Sequence, residues 1–277
     1  MTNELLISAS GIVKRFGALT AVDNVSLDVY SGEIYGVAGL NGAGKSTLLE
    51  ILAGVMRPDG GAVLYRGQPV NVGRQFPGGP GRGGGHGGHN IKINAGRSLR
   101  IGYVPQETAL FPDLSVYDNL KFWALANRTP SGPNRREPDT SLRERIRETA
   151  RATGLEDKIR QSVRFLSGGM KQRVNIAAAL VSGPDILIMD EPTAGLDVKN
   201  RRDIINLISA LARSAAGGLA VICTSHQSGE LEMISNRLLL LDRGRAVYDG
   251  PPAGVFDGKY ASYGNIDDIL YSLSGGS

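Results

Sequence analysis

The run Gly39-Leu40-Asn41-Gly42-Ala43-Gly44-Lys45-Ser46-Thr47 has the spacing G-x-x-x-x-G-K-[ST] and constrains the chain more than any other feature. Before it, Ile34-Tyr35-Gly36-Val37-Ala38 is short and apolar, as a buried strand would be. After it, residues 47–53 read as a helix carrying Leu48, Ile51 and Leu52, and Gly54 is placed to end it. A glycine-rich loop between a strand and a helix N-terminus presents unpaired N–H groups and the positive end of the helix dipole, which together favour a polyphosphate. The glycines keep Cβ atoms away from the phosphate oxygens and permit positive φ. Lys45 can reach the β- and γ-phosphates, and the Ser46 hydroxyl can ligate Mg²⁺. The expected fold class is α/β: a P-loop core with a parallel sheet, an antiparallel β subdomain and a helical subdomain.

A chain of 277 residues with 41% apolar content is long enough for one large domain or two small ones and can build a sizeable core. The formal charge of +4, from 31 basic and 27 acidic residues, is too small an excess to point to nucleic acid, and none is expected as a partner. It fits equally well with work near anionic lipid. Cys223, the one cysteine, excludes an internal disulfide and fits a reducing cytosolic compartment. Met1-Thr2-Asn3-Glu4 lacks the basic region of a signal peptide. No apolar stretch approaches the roughly 18 residues needed to span a bilayer. A membrane process would therefore need a membrane part supplied by another chain.

Residues 5–16 read as an edge strand and its continuation, and the alternation from Val25 to Val29 predicts a half-buried antiparallel strand. Arg57-Pro58-Asp59-Gly60-Gly61 is a turn, with another strand at 62–65. In 73–89, nine of seventeen residues are glycine and Phe76 is the one large apolar side chain. Such a segment buries too little surface to offset its ordering entropy, so it is expected to be a flexible surface insertion. Its His86 and His89 lack carboxylate or thiolate support and are read as bystanders. A strand at 99–104 ends at Pro105-Gln106, and 117–127 is a helix with Leu120, Trp123, Ala124 and Leu125 on its apolar side. Residues 128–140 form a polar linker, after which Ser141-Leu142-Arg143-Glu144 has the form of a capping box opening a helix. Residues from about 111 to 182 thus read as a helical subdomain. Residues 185–191 form an apolar run closing in Asp190 and Glu191, typical of a buried parallel strand. That strand is expected beside the P-loop strand, with its acids at the C-terminal edge where α/β sheets bind ligands. A helix at 201–212, a buried strand at 219–224 followed by Ser225-His226, and a hairpin at 238–241 and 246–248 complete the pattern. Residues 251–277 are poorly patterned and are expected to be a tail, disordered from 274 onward.

The octapeptide Leu166-Ser167-Gly168-Gly169-Met170-Lys171-Gln172-Arg173 precedes the apolar strand ending Asp190-Glu191-Pro192. With the P-loop, in this order, these motifs closely resemble the ATP-binding cassette ATPases over about residues 5–248. The chain departs at Met170, where many members have Gln, and in the length of the 73–89 insertion. The resemblance implies a single cassette over residues 1–250. It implies ATP as ligand, held by Gly39, Asn41, Gly42, Ala43, Gly44, Lys45, Ser46 and Thr47, with Phe16 stacking on the adenine. It implies Mg²⁺ held by Ser46, Asp190 and Gln106. Glu191 would polarise the attacking water, Gln106 would couple the site to the helical segment, and His226 would contact the γ-phosphate. Ser167, Gly168 and Gly169 open a second phosphate-binding helix, and Ala194-Gly195-Leu196-Asp197 resembles the loop that crosses between two cassettes. A head-to-tail dimer with a second cassette, identical or not, follows, with transmembrane permease subunits in a separate chain and a place on the inner face of the cell membrane. The run 110–120 and the Met-containing signature look more like exporter than importer cassettes. The alternatives are a soluble cassette ATPase in DNA repair or translation, and a regulatory cassette that binds ATP without turnover.

Overall fold

The computed structural model describes residues 4–69, 89–92, 98–127, 139–214, 218–225 and 227–274. Most of the glycine-rich insertion (73–88), most of the proline-bearing linker (128–138), His226 and residues 275–277 lie outside them.

The P-loop strand β3 (Ile34–Gly39) is buried at every position, because parallel neighbours cover both its edges and packed layers cover both its faces. It lies in a seven-stranded sheet with β11 (Arg245–Gly250), β10 (Arg237–Asp242), β9 (Ala220–Thr224), β8 (Ile186–Met189), β7 (Ser98–Val104) and β6 (His89–Lys92), in the order β11-β10-β3-β9-β8-β7-β6. From β10 to β7 the strands are parallel, and β11 and β6 add antiparallel edges. Period-two alternation divides each central strand between two cores. Tyr35, Val37, Ile186, Ile188, Ala220, Ile222, Leu239 and Leu241 face one cluster. Ile34, Ala38, Leu187, Met189, Val221, Cys223, Leu238 and Leu240 face the other.

The first cluster is closed by a four-stranded antiparallel sheet, ordered β2-β1-β4-β5, of β1 (Leu5–Phe16), β2 (Leu19–Tyr30), β4 (Gly60–Tyr65) and β5 (Gln68–Pro69). Helix α1 (Lys45–Leu52) is packed into the same cluster through Leu48, Leu49, Ile51 and Leu52. The second cluster is closed by α5 (Val198–Ser214), α6 (Ser228–Ile234) and α7 (Ile266–Ser274). A third cluster joins α2 (Val116–Ala126), α3 (Asp139–Ala152) and α4 (Gly168–Leu180) through Leu120, Trp123, Ile146 and Val174.

The structure corrects four sequence expectations. β1 is not an edge strand: it pairs with β2 on one side and β4 on the other, and it runs unbroken through a left-handed Gly11. Leu6 and Ile7 are both buried in the same cluster, and the alternation is broken where the register with β2 shifts between Leu5 and Ile7. The strand carrying Asp190 and Glu191 is not beside the P-loop strand, because β9 lies between them. All three are short apolar runs, so their sequences do not fix their order. The helix expected to open at Ser141 already includes Asp139, which places Ser141 inside its first turn. The tail contains α7, whose Ile266, Ile269 and Leu270 are buried against the second cluster. The pattern in α7 is short and follows turns rich in Pro, Gly and Tyr, so periodicity alone misses it. In addition, His89, assigned by sequence to the insertion, begins β6.

Candidate functional site

The P-loop leaves β3 at Gly39 and enters α1 at Lys45. Its shape depends on Gly44, which sits at φ 100°. A Cβ there would stand 2.1 Å from the Ala21 carbonyl oxygen of β2, so the loop closes over the antiparallel sheet only with glycine. The buried Lys45 ammonium donates to the carbonyl oxygens of Gly39 at 2.7 Å and Leu40 at 3.1 Å. Burial pushes its pKa down, and the charges of Glu191 and Asp190 act against that shift.

A cleft of about 440 Å³ opens over this loop. It is lined by Phe16, Leu19 and Ala21, by the P-loop residues Asn41, Gly42, Gly44, Lys45, Ser46 and Thr47, and by Gln106 and Glu191. The cleft therefore combines apolar side chains, a phosphate-binding loop and a carboxylate. Phe16 is 48% exposed, and Lys14 Nζ stands 5.7 Å from its ring centroid. Gly39 ends β3, and Ala43 is buried within the loop.

At the carboxylate end, Gln106 follows β7 and donates through Nε2 to Glu191 Oε2 at 3.0 Å. Asp190 and Glu191 are 4% and 7% exposed. Glu191 sits at φ 50°, a left-handed conformation uncommon for a side chain of its kind. Its backbone N–H donates to Thr224 Oγ1 at 2.8 Å, and that hydroxyl donates to Asp190 Oδ1 at 2.7 Å. The loop beyond is tied down as well: Glu230 Oε2 accepts from Thr193 Oγ1 at 2.8 Å and Ser225 Oγ at 2.7 Å. Arg201 reaches the Leu196 carbonyl and the Gln227 amide oxygen from α5.

Ser167, Gly168, Gly169 and Asp197 do not line this cleft. Ser167 caps α4 by accepting from the Met170 N–H at 3.3 Å. Asp197 accepts from the Asn200 N–H at 2.9 Å in the first turn of α5. The two segments abut, for a Cβ on Gly169 would stand 2.4 Å from Asn200 Oδ1. The structure thus gathers the P-loop, Phe16, Gln106, Asp190 and Glu191 into one region and the signature and Asp197 into another; His226 falls outside the described residues.

Sequence reading overlooked Leu19, Ala21 and Thr224. Leu19 and Ala21 carry no chemical signal. Thr224 carried one, as the polar residue closing an apolar strand at the edge where the acids lie.

A protein-family model described as ABC transporter matches residues 22–194. The chain is 32% identical over 245 residues to the linearmycin resistance ATP-binding protein LnrL of Bacillus subtilis, covering 88% of this chain and 69% of that protein. It is 34% identical to the Nod factor export ATP-binding protein I of Ralstonia nicotianae, with 89% and 67% covered. It is 28% identical to the sulfate/thiosulfate import ATP-binding protein CysA of Pseudomonas syringae pv. tomato, with 98% and 73% covered. Among solved structures, cbiO1 of Clostridium perfringens, part of an ABC transporter complex, superposes with a TM-score of 0.74 at 24% identity over 98% of this chain and 99% of that one. A dimeric post-hydrolysis ATP-binding cassette bound to ADP and phosphate gives 0.68 at 25% identity, over 89% and 99%.

Proposed function

The chain belongs to the ATP-binding cassette transporter family and is an ATP-binding, ATP-hydrolysing subunit of a transporter, and we propose that it drives export by pairing head to tail with a second cassette. The observation that supports pairing is the separation of two phosphate-binding helix N-termini. Gly44 and Lys45 open α1 inside the cleft, whereas Ser167 opens α4 outside it. In a head-to-tail pair, each α4 N-terminus closes the other chain's cleft.

Within the cleft, Phe16 stacks on the base, and the P-loop amides and Lys45 hold the phosphates. Ser46, Asp190 and Gln106 offer oxygen donors, the hard ligand set that suits Mg²⁺. That ion would supply positive charge to offset charge developing on the phosphates. Glu191 accepts the proton of the attacking water, and Gln106 holds its carboxylate in place. His226 contacts the γ-phosphate, and Asp197 lies in the loop that crosses to the partner cassette. The cassette assigned to residues 1–250 extends in this reading to α7, which packs into its core, and α2, α3 and α4 relay closure to permease subunits in a separate chain. The complex lies on the inner face of the cell membrane, and no helix among the described residues is long and apolar enough to cross it.

Export is supported by the exporter-like run 110–120 and by relatives named for resistance and export, although a relative named for import also aligns. Accumulation of substrate in inside-out vesicles on adding ATP is the expected result; efflux from preloaded vesicles would reverse the direction. Glu191→Gln should bind ATP, stop turnover and accumulate as a dimer. A variant that stays monomeric in ATP would remove the pairing.

A further inference from the structure

We propose that Thr224 is a positioning residue for ATP hydrolysis, one hydroxyl that sets both carboxylates of the site; this rests on the roles proposed for Asp190 and Glu191. A threonine hydroxyl has one proton to donate and lone pairs to accept. Here the proton goes to Asp190 Oδ1 at 2.7 Å, and a lone pair takes the Glu191 N–H at 2.8 Å. Both bonds lie inside the protein: Thr224 is fully buried, and Asp190 and Glu191 are nearly so.

The two bonds do different work. The first fixes one oxygen of Asp190 and so the orientation of its carboxylate. The second pins the backbone of Glu191 at φ 50°. A left-handed backbone persists at a non-glycine residue when its surroundings over-determine it. The Glu191 carbonyl, accepting from Ala194 N–H at 3.0 Å, holds the other side of the same turn. The direction in which the Glu191 side chain leaves the backbone is therefore set from β9, the strand lying between the P-loop strand and the strand of the acids. That position gives β9 a reason to end in a hydroxyl after four apolar residues.

The test compares Thr224→Val and Thr224→Ala, which delete the hydroxyl at different volumes, with Thr224→Ser, which keeps it. Folding is checked by circular dichroism and thermal melting. The hydroxyl deletions should lower kcat about 10–100-fold, the usual scale for losing a group that orients a site residue, with KM for ATP shifted by less than about threefold. Thr224→Ser should restore kcat to within about threefold of wild type. A fluorescent ATP analogue supplies a readout apart from turnover. In EDTA its affinity should match wild type, whereas the Mg²⁺ concentration giving half-maximal enhancement should rise in the deletions. Wild-type kcat in both folded deletions, Ser as slow as Val, or an equal loss of affinity in EDTA would overturn the proposal. Hydrolysis by wild type and its loss in Glu191→Gln test the underlying reading separately.

Discussion

Gln106 donates to the carboxylate of Glu191 at 3.0 Å, from the ends of two adjacent parallel strands. The contact links the segment leading to the helical region with the side chain proposed to activate water. A hydrogen bond to a charged group contributes about 1.5–3 kcal/mol. Gln106→Ala should therefore leave nucleotide affinity within about threefold and reduce kcat by about tenfold or more, on the scale of 1.4 kcal/mol per decade. Steady-state ATPase and equilibrium nucleotide binding check this. Unchanged kcat would leave the contact without a part in hydrolysis.

Two glycines of the P-loop make a paired prediction. Gly42 and Gly44 both have positive φ, at 80° and 100°. A Cβ on Gly42 meets nothing within 4 Å, whereas one on Gly44 runs into the Ala21 backbone. Gly42→Ala should cost backbone strain alone, about 1–2 kcal/mol. Gly44→Ala adds an overlap that a backbone neighbour cannot relieve cheaply, so its melting temperature should fall further. Calorimetry of the two variants without nucleotide gives the comparison, and equal losses would mean that β2 yields.

How far the sequence disclosed this site depended on whether a residue's role was local. The P-loop was legible because its spacing, its preceding strand and its following helix all lie within about twenty residues, and each carries its own signal. The antiparallel pairing and the terminal hairpin were legible from alternation and turns. Strand order was not: β3, β8 and β9 are interchangeable apolar runs until crossovers place them. The partners of Thr224 were hidden for the same reason, since they lie 33 and 34 positions away in another strand's loop. The burial of α7 depends on a surface made by β10 and α6, which the tail's own residues do not reveal.

Lys45 predicts a pH dependence of stability. Burial holds its pKa below the ordinary 10.5, so the charged form is disfavoured in the folded chain. For a depressed pKa, the stabilising contribution is present above the unfolded value and is lost as pH falls through the folded value. Relative to Lys45→Met, which cannot titrate, wild type should therefore gain stability as pH rises toward 10.5. Thermal melts of both proteins without nucleotide, from neutral to alkaline pH, read the difference directly. A constant difference would show that the two acids cancel the effect of burial, and one moving the other way that they outweigh it.

Pairing between chains makes the sharpest prediction. Lys45→Ala removes the cation of one cleft but leaves the signature at α4 intact. Ser167→Arg leaves the P-loop intact but puts a bulky side chain at the N-terminus of α4, where Ser167 is exposed. Each variant alone should be inactive. In a mixed dimer, the Lys45→Ala chain lends its intact α4 to the cleft of the Ser167→Arg chain, so one site is whole and the other carries both lesions. Mixing should restore partial ATPase activity, to at most one working site per mixed dimer. Specific activity of wild type should also rise with protein concentration at high dilution, as it does for an enzyme assembled from two chains. Full activity of pure Ser167→Arg protein would exclude α4 from the site, and a specific activity independent of concentration would assign the whole reaction to one chain.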